Sequence, residues 1–226
     1  MDSTASNTPI FSLTRPFIFV LILLFMASIA VPKGEDVLLI NGNHSPFLDE
    51  FFKTLTYLGD GLILIPIAGI ALFLRFRYLI TIVLASTALG LAVSLVKRIM
   101  FPGMVRPKLL LDNSLIHFVP GVKVHTVNSF PSGHTATAFC AALLIALLSR
   151  NKVLGTFALI LATLVGYSRI YLAQHFLMDV AAGAILGYFI TYMTWSVIES
   201  NNLPTWTNRK LNGLKLKKRQ KTASQV

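Results

Sequence analysis

Apolar residues run through this chain in long blocks, not in the short alternations of a soluble domain. Residues 16–31, 58–74, 78–96, 131–148, 153–171 and 176–198 each approach the roughly 20 apolar positions a helix needs to cross a bilayer core. Cations punctuate the block ends: Arg75 and Arg77, Lys97 and Arg98, Arg150 and Lys152. Between the first two blocks the pattern changes. After the turn signal Asn41-Gly42-Asn43, Phe47, Leu48, Phe51, Phe52 and Leu55 recur at helical spacing against Asp49, Glu50 and Lys53. Such a stripe predicts a helix lying in the interface plane. Residues 101–128, with Pro102, Gly103, Pro107, Pro120 and Gly121, predict the longest polar loop. The expected fold is all-α: a polytopic membrane bundle of about six transmembrane helices with an interfacial helix between the first two spans. Residues 1–199 would form one domain and residues 200–226 a basic cytoplasmic tail.

Composition agrees with this pattern. Of 226 residues, 54% are hydrophobic and 13% charged, whereas a soluble domain has about a quarter of its residues charged. The formal net charge of +11 raises the question of nucleic acid. That partner is set aside, because the cations sit at block ends and in the tail, where they write membrane topology and favour anionic lipid head groups. The single cysteine, Cys140, excludes an internal disulfide and reads as a small buried hydrophobe. Ser28-Ile29-Ala30 resembles a cleavage site, but only Arg15 is basic ahead of the first block, so a retained anchor is expected.

Orientation follows from the cations. With both termini on one side, that side holds Arg15, Arg75, Arg77, Arg150, Lys152, Arg209, Lys210, Lys215, Lys217, Lys218, Arg219 and Lys221, 12 in all. The other side holds eight: Lys33, Lys53, Lys97, Arg98, Arg106, Lys108, Lys123 and Arg169. The richer side is expected to be cytoplasmic. Lys97, Arg106, His134, Arg169, His175 and Asp179 then converge on the opposite face, at one depth.

Ionisable residues at a membrane edge are expensive and point to function. His175 and Asp179 are four residues apart and would share a helix face. A carboxylate there fixes the imidazole tautomer and leaves the other nitrogen as a nucleophile; an ordinary polar pair facing a cavity is the bland alternative. In Pro131-Ser132-Gly133-His134, Ser132 is a good N-cap, and the following amides form an anion cradle. His134 stands one step inside it, placed to protonate a leaving oxygen. A plain capped helix start with an interfacial histidine is the alternative. Arg106 and Arg169 suit bidentate phosphate binding, whereas Lys97 and Arg98 alone would read as snorkelling anchors. Six positions on a straight helix do not put Arg169 on the His175 face, so a break is expected near residues 172–174. His44, His117 and His125 read as exposed loop histidines.

These residues resemble the type-2 phosphatidic acid phosphatase superfamily, which also includes vanadium-dependent haloperoxidases. Its pattern is Lys-x6-Arg-Pro, then Pro-Ser-Gly-His, then Ser-Arg-x5-His-x3-Asp. The second part matches in full over residues 131–134 and the third over 168–179. The first departs: Arg106-Pro107 is present, but the position six intervening residues upstream is Ile99. Either Lys97 reaches the phosphate through a longer loop or Arg98 substitutes. The resemblance implies that His175 attacks phosphorus, Asp179 orients it, and His134 protonates the departing oxygen. Lys97, Arg106, Ser132, Gly133 and Arg169 would hold the phosphoryl oxygens. It also implies no metal and no cofactor, and the sequence offers no carboxylate cluster suited to magnesium.

The function expected is a metal-independent phosphatase cleaving a phosphomonoester or diphosphate from a membrane lipid at the non-cytoplasmic face, in a bacterial inner membrane. Undecaprenyl diphosphate, phosphatidylglycerol phosphate, phosphatidate and lipid A phosphate are the substrates weighed. A lipid-to-lipid phosphotransferase uses the same histidine. An anion channel or transporter would spread its charges through the membrane depth, whereas here they cluster at one edge.

Overall fold

The computed structural model describes residues 9–201 and 203–209, and all regular structure among them is helical. Of the tail cations only Arg209 is included; Lys210, Lys215, Lys217, Lys218, Arg219 and Lys221 lie outside the described residues.

Helix α1 spans Ile10–Ala30. It starts six residues before the apolar block, with Pro16 inside it, because Leu13 and Phe17 bury against the bundle and hold the first turns. A short helix, α2 (Glu35–Gly42), follows where the sequence pattern gave no helix. Ser45 then caps α3 (Pro46–Leu55), whose proline occupies a first-turn position that needs no N–H.

The expected second span over 58–74 is not one continuous helix. Gly59-Asp60-Gly61 interrupts it: two short 3₁₀ turns, Thr56–Gly59 and Gly61–Ile63, flank Asp60, and only Leu64–Leu74 (α4) is α-helical. Two glycines with an aspartate between them favour a turn over helix continuation. The segments on either side of this break are inclined by 62°.

Helix α5 (Phe76–Leu95) runs on through a π turn, Val96–Met100, closed by Phe101 N donating to Val96 O at 2.9 Å. After the one-turn α6 (Pro107–Leu110) come α7 (Gly133–Ser149), α8 (Lys152–Tyr171) and α9 (Leu177–Ser200). Among the described residues, four helices are long and apolar enough to cross a membrane: Ile10–Ala30, Phe76–Met100, Lys152–Tyr171 and Leu177–Ser200. The bent pair makes a fifth if it is one crossing.

Helix α7, at 17 residues, is shorter than these and is the most enclosed. Phe139, Cys140, Leu143, Leu144, Ala146 and Leu147 are all fully buried, so every side of the helix meets protein. Its most extensive partners are α8 and α9. Gly183 and Gly187 let α9 approach so closely that a Cβ would collide with the carbonyls of Ser132 and Ala136. This small-xxx-small spacing replaces a hydrophobic driving force by close backbone contact. It also brings α9, which begins beside His175, against the start of α7, which begins beside His134.

Candidate active site

Helix α8 ends at Tyr171, and Ala173 turns the chain through a left-handed conformation (φ 51°). The turn is closed on Arg169: its carbonyl accepts from Gln174 N (2.9 Å) and His175 N (3.2 Å). The break expected near 172–174 is there, and it places Arg169 and His175 at one corner despite their helical mismatch. The route to the His175–Asp179 pair differs from the expected one. His175 precedes α9, so the two do not share a helix face. Asp179 lies in the first turn of α9 and its Oδ2 accepts from Phe176 N at 3.0 Å, as a capping carboxylate does. The same oxygen is 3.4 Å from His175 Nδ1.

A carboxylate can only accept, so the imidazole proton belongs on Nδ1. The Nε2 lone pair then faces Arg106 Nη1, 3.4 Å away. Burial holds the His175 ring well below the ordinary value of 6.5, and the charges of Arg169, Arg106, Lys97 and His134 push the same way. The ring is therefore neutral near pH 7, the state a nucleophile requires.

Two residues that the sequence reading missed complete this corner. Ser129 Oγ donates to Asp179 Oδ2 at 2.5 Å and lies 3.4 Å from His175 Nδ1. Gln174 accepts from Arg106 Nη1 through its backbone carbonyl (3.0 Å) and Oε1 (3.2 Å), and its Nε2 donates to Lys123 O (3.0 Å).

The arginines are held differently. Arg106 is threaded through backbone: Nε donates to Val127 O (2.9 Å) and Nη2 to Asn128 O (3.3 Å). Arg169 is as buried, and its Nη1 donates to Thr56 Oγ1 at 2.8 Å. Its Nε is buried and has no partner among the described residues. An orphaned guanidinium N–H costs about 1–3 kcal/mol, and an oxyanion in this corner would relieve it. Lys97 lines a cavity of about 380 Å³ with Arg106, Lys123 and His125. Arg98, one residue on in the π turn, is exposed. Lys97 sits in the π turn and faces the same cavity as Arg106 across a spacing two residues longer than the family pattern.

Ser132 caps α7, its Oγ accepting from Thr135 N (3.5 Å) and Thr135 Oγ1 (2.9 Å). Its backbone N donates to Asp179 O at 2.9 Å, tying the start of α7 to the start of α9. Gly133 and His134 open the helix and line a groove of about 570 Å³ with Asp60, Leu64, Ala68, Leu89, Gly90 and Val93. The groove runs along α4 and α5, so one end is polar and the other apolar.

The remaining histidines divide. His44 and His125 are exposed as expected. His117 is not an exposed loop residue: its Nε2 lies 2.8 Å from Asp49 Oδ2 and its ring stacks on His44 at 3.8 Å. Asp49 on α3 recruits it into a cluster with the Tyr171 hydroxyl, which donates to Asp49 Oδ1 at 2.6 Å. Among the described residues no group of three or more His, Cys, Asp or Glu is arranged to hold a metal ion.

The chain is similar to known bacterial lipid phosphatases. Lipid A 4'-phosphatase of Bacteroides thetaiotaomicron is 28% identical over 184 residues, covering 73% of this chain and 79% of that protein. Phosphatidylglycerophosphatase B of Bacillus subtilis is 32% identical over 164 residues, covering 66% and 74%. Among solved structures, Aquifex aeolicus LpxE matches with a TM-score of 0.65 and 30% identity, over 74% of this chain and 96% of that one. The model of the PAP2 superfamily matches residues 77–203, which include every motif residue from Lys97 to Asp179, and the chain belongs to that superfamily.

Proposed function

We propose that this protein dephosphorylates a membrane lipid through a phosphohistidine on His175. The observation that supports this best is the held, neutral His175, whose Nε2 lone pair faces Arg106 Nη1 at 3.4 Å, in a corner where the buried Arg169 Nε has no partner among the described residues. Nε2 attacks phosphorus and the phosphorus–oxygen bond to the lipid breaks. His134 gives its proton to the departing lipid oxygen. Water then attacks the phosphohistidine, returning a proton to His134 and releasing inorganic phosphate. Arg106, Arg169, Lys97 and the cradle at Ser132 and Gly133 neutralise the phosphoryl oxygens, and such positioning and charge stabilisation is most of what phosphoryl transfer needs.

The substrate proposed is a phosphomonoester or diphosphate lipid with its head group at the cationic corner and its chains in the groove along α4 and α5. The relatives named above act on lipid A phosphate and phosphatidylglycerol phosphate. Undecaprenyl diphosphate and phosphatidate belong in the same panel. The layout we favour has six crossings, with α7 as the enclosed central one and α3 lying at the interface. The Lys/Arg bias supports both termini in the cytoplasm and the site on the outer face of a bacterial inner membrane. The assay is inorganic phosphate release from these four lipids in mixed micelles, with and without chelator. Release that persists in chelator and vanishes in His175→Ala upholds the reading. Turnover by His175→Ala at the wild-type rate overturns it.

A further inference from the structure

The loop that bears His175 is held at both ends by a helix outside the matched family region. Two fully or almost fully buried polar side chains of α2 do this. Asp36 is 4% exposed and Asn41 0%. Asp36 Oδ2 accepts from the backbone N of Leu177, the first residue of α9, while its Oδ1 accepts from Gly34 N at 2.9 Å. Asn41 Nδ2 donates to the carbonyl of Tyr171, the last residue of α8, at 2.7 Å. Asn41 also pairs with both backbone groups of His117, donating to its O (2.8 Å) and accepting from its N (2.8 Å). Residues 171 and 177 bracket His175, and the segment between them, Leu172–Phe176, is buried throughout.

From this geometry we propose that Asp36 and Asn41 are positioning residues for the nucleophile: α2 sets the separation of the α8 and α9 ends, and with it the aim of His175 Nε2. The inference rests on the reading of His175 as nucleophile. The physical case is one of over-determination. Neither helix end can supply its own partner for these groups, since the last carbonyls and first amides of a helix have none within it. The buried Asp36 carboxylate accepts two backbone N–H groups and the buried Asn41 amide makes three bonds, all of them to backbone. They therefore fix chain geometry, not charge. Asp36 and Asp179 divide the start of α9 between them, taking Leu177 N and Phe176 N respectively. A displacement of the Asp36 end consequently shifts the same turn that carries the orienting carboxylate.

The test uses full-length protein in detergent with two size-conserving variants, Asp36→Asn and Asn41→Asp. In the first, an NH₂ replaces one of two accepting oxygens and faces an N–H. In the second, a carboxylate faces the carbonyls of Tyr171 and His117. Misaiming a reacting group costs about 10- to 100-fold. The expected result is a kcat lower by ~10- to 100-fold with KM within ~3-fold, and less phosphohistidine trapped at early times. Asn41→Asp should recover in part on acidification, when the acid's single O–H can donate to one of the two carbonyls again, and a thermal midpoint well above the assay temperature at both pH values separates positioning from general loss of fold. Asn43→Ala, an exposed substitution at the end of the same helix, should behave as wild type. A kcat within twofold of wild type in either variant, or a fall without acid recovery in Asn41→Asp, overturns the proposal. Measuring His175→Ala alongside keeps the two ideas apart. If it is inactive while the α2 variants are normal, only the positioning role fails; if it is active, the nucleophile reading fails.

Discussion

The two histidines of the site live in different surroundings. His175 is 2% exposed and is fixed from every side: Asp179 and Ser129 at Nδ1, Arg106 at Nε2, and its own backbone N bonded to Arg169 O behind it. His134 is half-buried at the mouth of the α4–α5 groove, and among the described residues none hydrogen-bonds its imidazole. The contrast matches the two jobs. An attacking nitrogen must be aimed within a fraction of an ångström before substrate arrives. A general acid must meet leaving oxygens that arrive on lipids, so its side of the site has to stay open to the groove. On this view, damage on the His175 side should fall on kcat for all substrates, and damage on the His134 side should depend on the leaving group.

The sharpest way to break the comparison is Asp179→Asn. The amide can present its NH₂ to His175 and Phe176 N, which favours the wrong tautomer and unseats the cap. A loss of ~10³- to 10⁴-fold in kcat is expected, with no phosphohistidine trapped by acid quench. A loss under tenfold would mean that the carboxylate does not orient the ring.

His134→Gln should cost ~10²- to 10³-fold on a lipid substrate, the ordinary worth of a general acid. On an aryl phosphate whose leaving oxygen needs no proton, the loss should shrink by about tenfold or more. Equal losses on both substrates would remove the acid role. Ser129→Ala tests the opposite corner with a smaller change. It removes one hydrogen bond to Asp179, and a charge-assisted bond of ~1.5–3 kcal/mol corresponds to about 10- to 100-fold in kcat. That loss should be the same for lipid and aryl substrates.

Much of this was legible in the sequence, for a physical reason. Arg169, His175, Asp179 and His134 stood out because each interrupts an apolar run, where a polar side chain has to justify its desolvation. The break at 172–174 followed from helical phase alone. Ser129, Gln174, Asp36 and Asn41 were invisible because no motif or helical spacing marks them. Their roles come from partners 50, 68, 141 and 130 residues away in the chain. The misread elements share one cause: local turn chemistry at Gly59-Asp60-Gly61, and packing of Leu13 and Phe17, moved helix bounds that hydropathy drew elsewhere. His117 was misjudged because only tertiary contact brings Asp49 to it.

The first-motif cation offers a finer test of which side the phosphate is gripped from. Lys97 faces the cavity with Arg106, and Arg98 is exposed. Lys97→Met should therefore raise KM or lower kcat/KM by ~10-fold, about the worth of one charge-assisted contact. Arg98→Met should change it less than ~2-fold, as surface charges do. The reverse ranking would mean that the π turn presents Arg98 once a lipid is bound.

The smallest effect concerns proton linkage, and it probes the enclosed side alone. Folding holds His175 neutral to well below 6.5, chiefly by burial. The unfolded chain protonates the same ring near 6.5. Between the two values the unfolded state binds a proton that the folded state refuses, so acid favours unfolding. The stability associated with this ring is complete above 6.5 and is lost as pH falls below it, at up to about 1.4 kcal/mol per pH unit. For a chain of this size that is at most about 3–6 °C in midpoint per pH unit. His175→Gln removes the linkage, so between pH 7.5 and 5 the wild-type midpoint should fall further than the variant's. The acid limb of kcat/KM should likewise lie well below 6.5, because the free enzyme keeps its nucleophile unprotonated. If the two midpoints fall in parallel, the corner is wetter than its burial implies, and the division between an enclosed nucleophile and an open acid loses its first half.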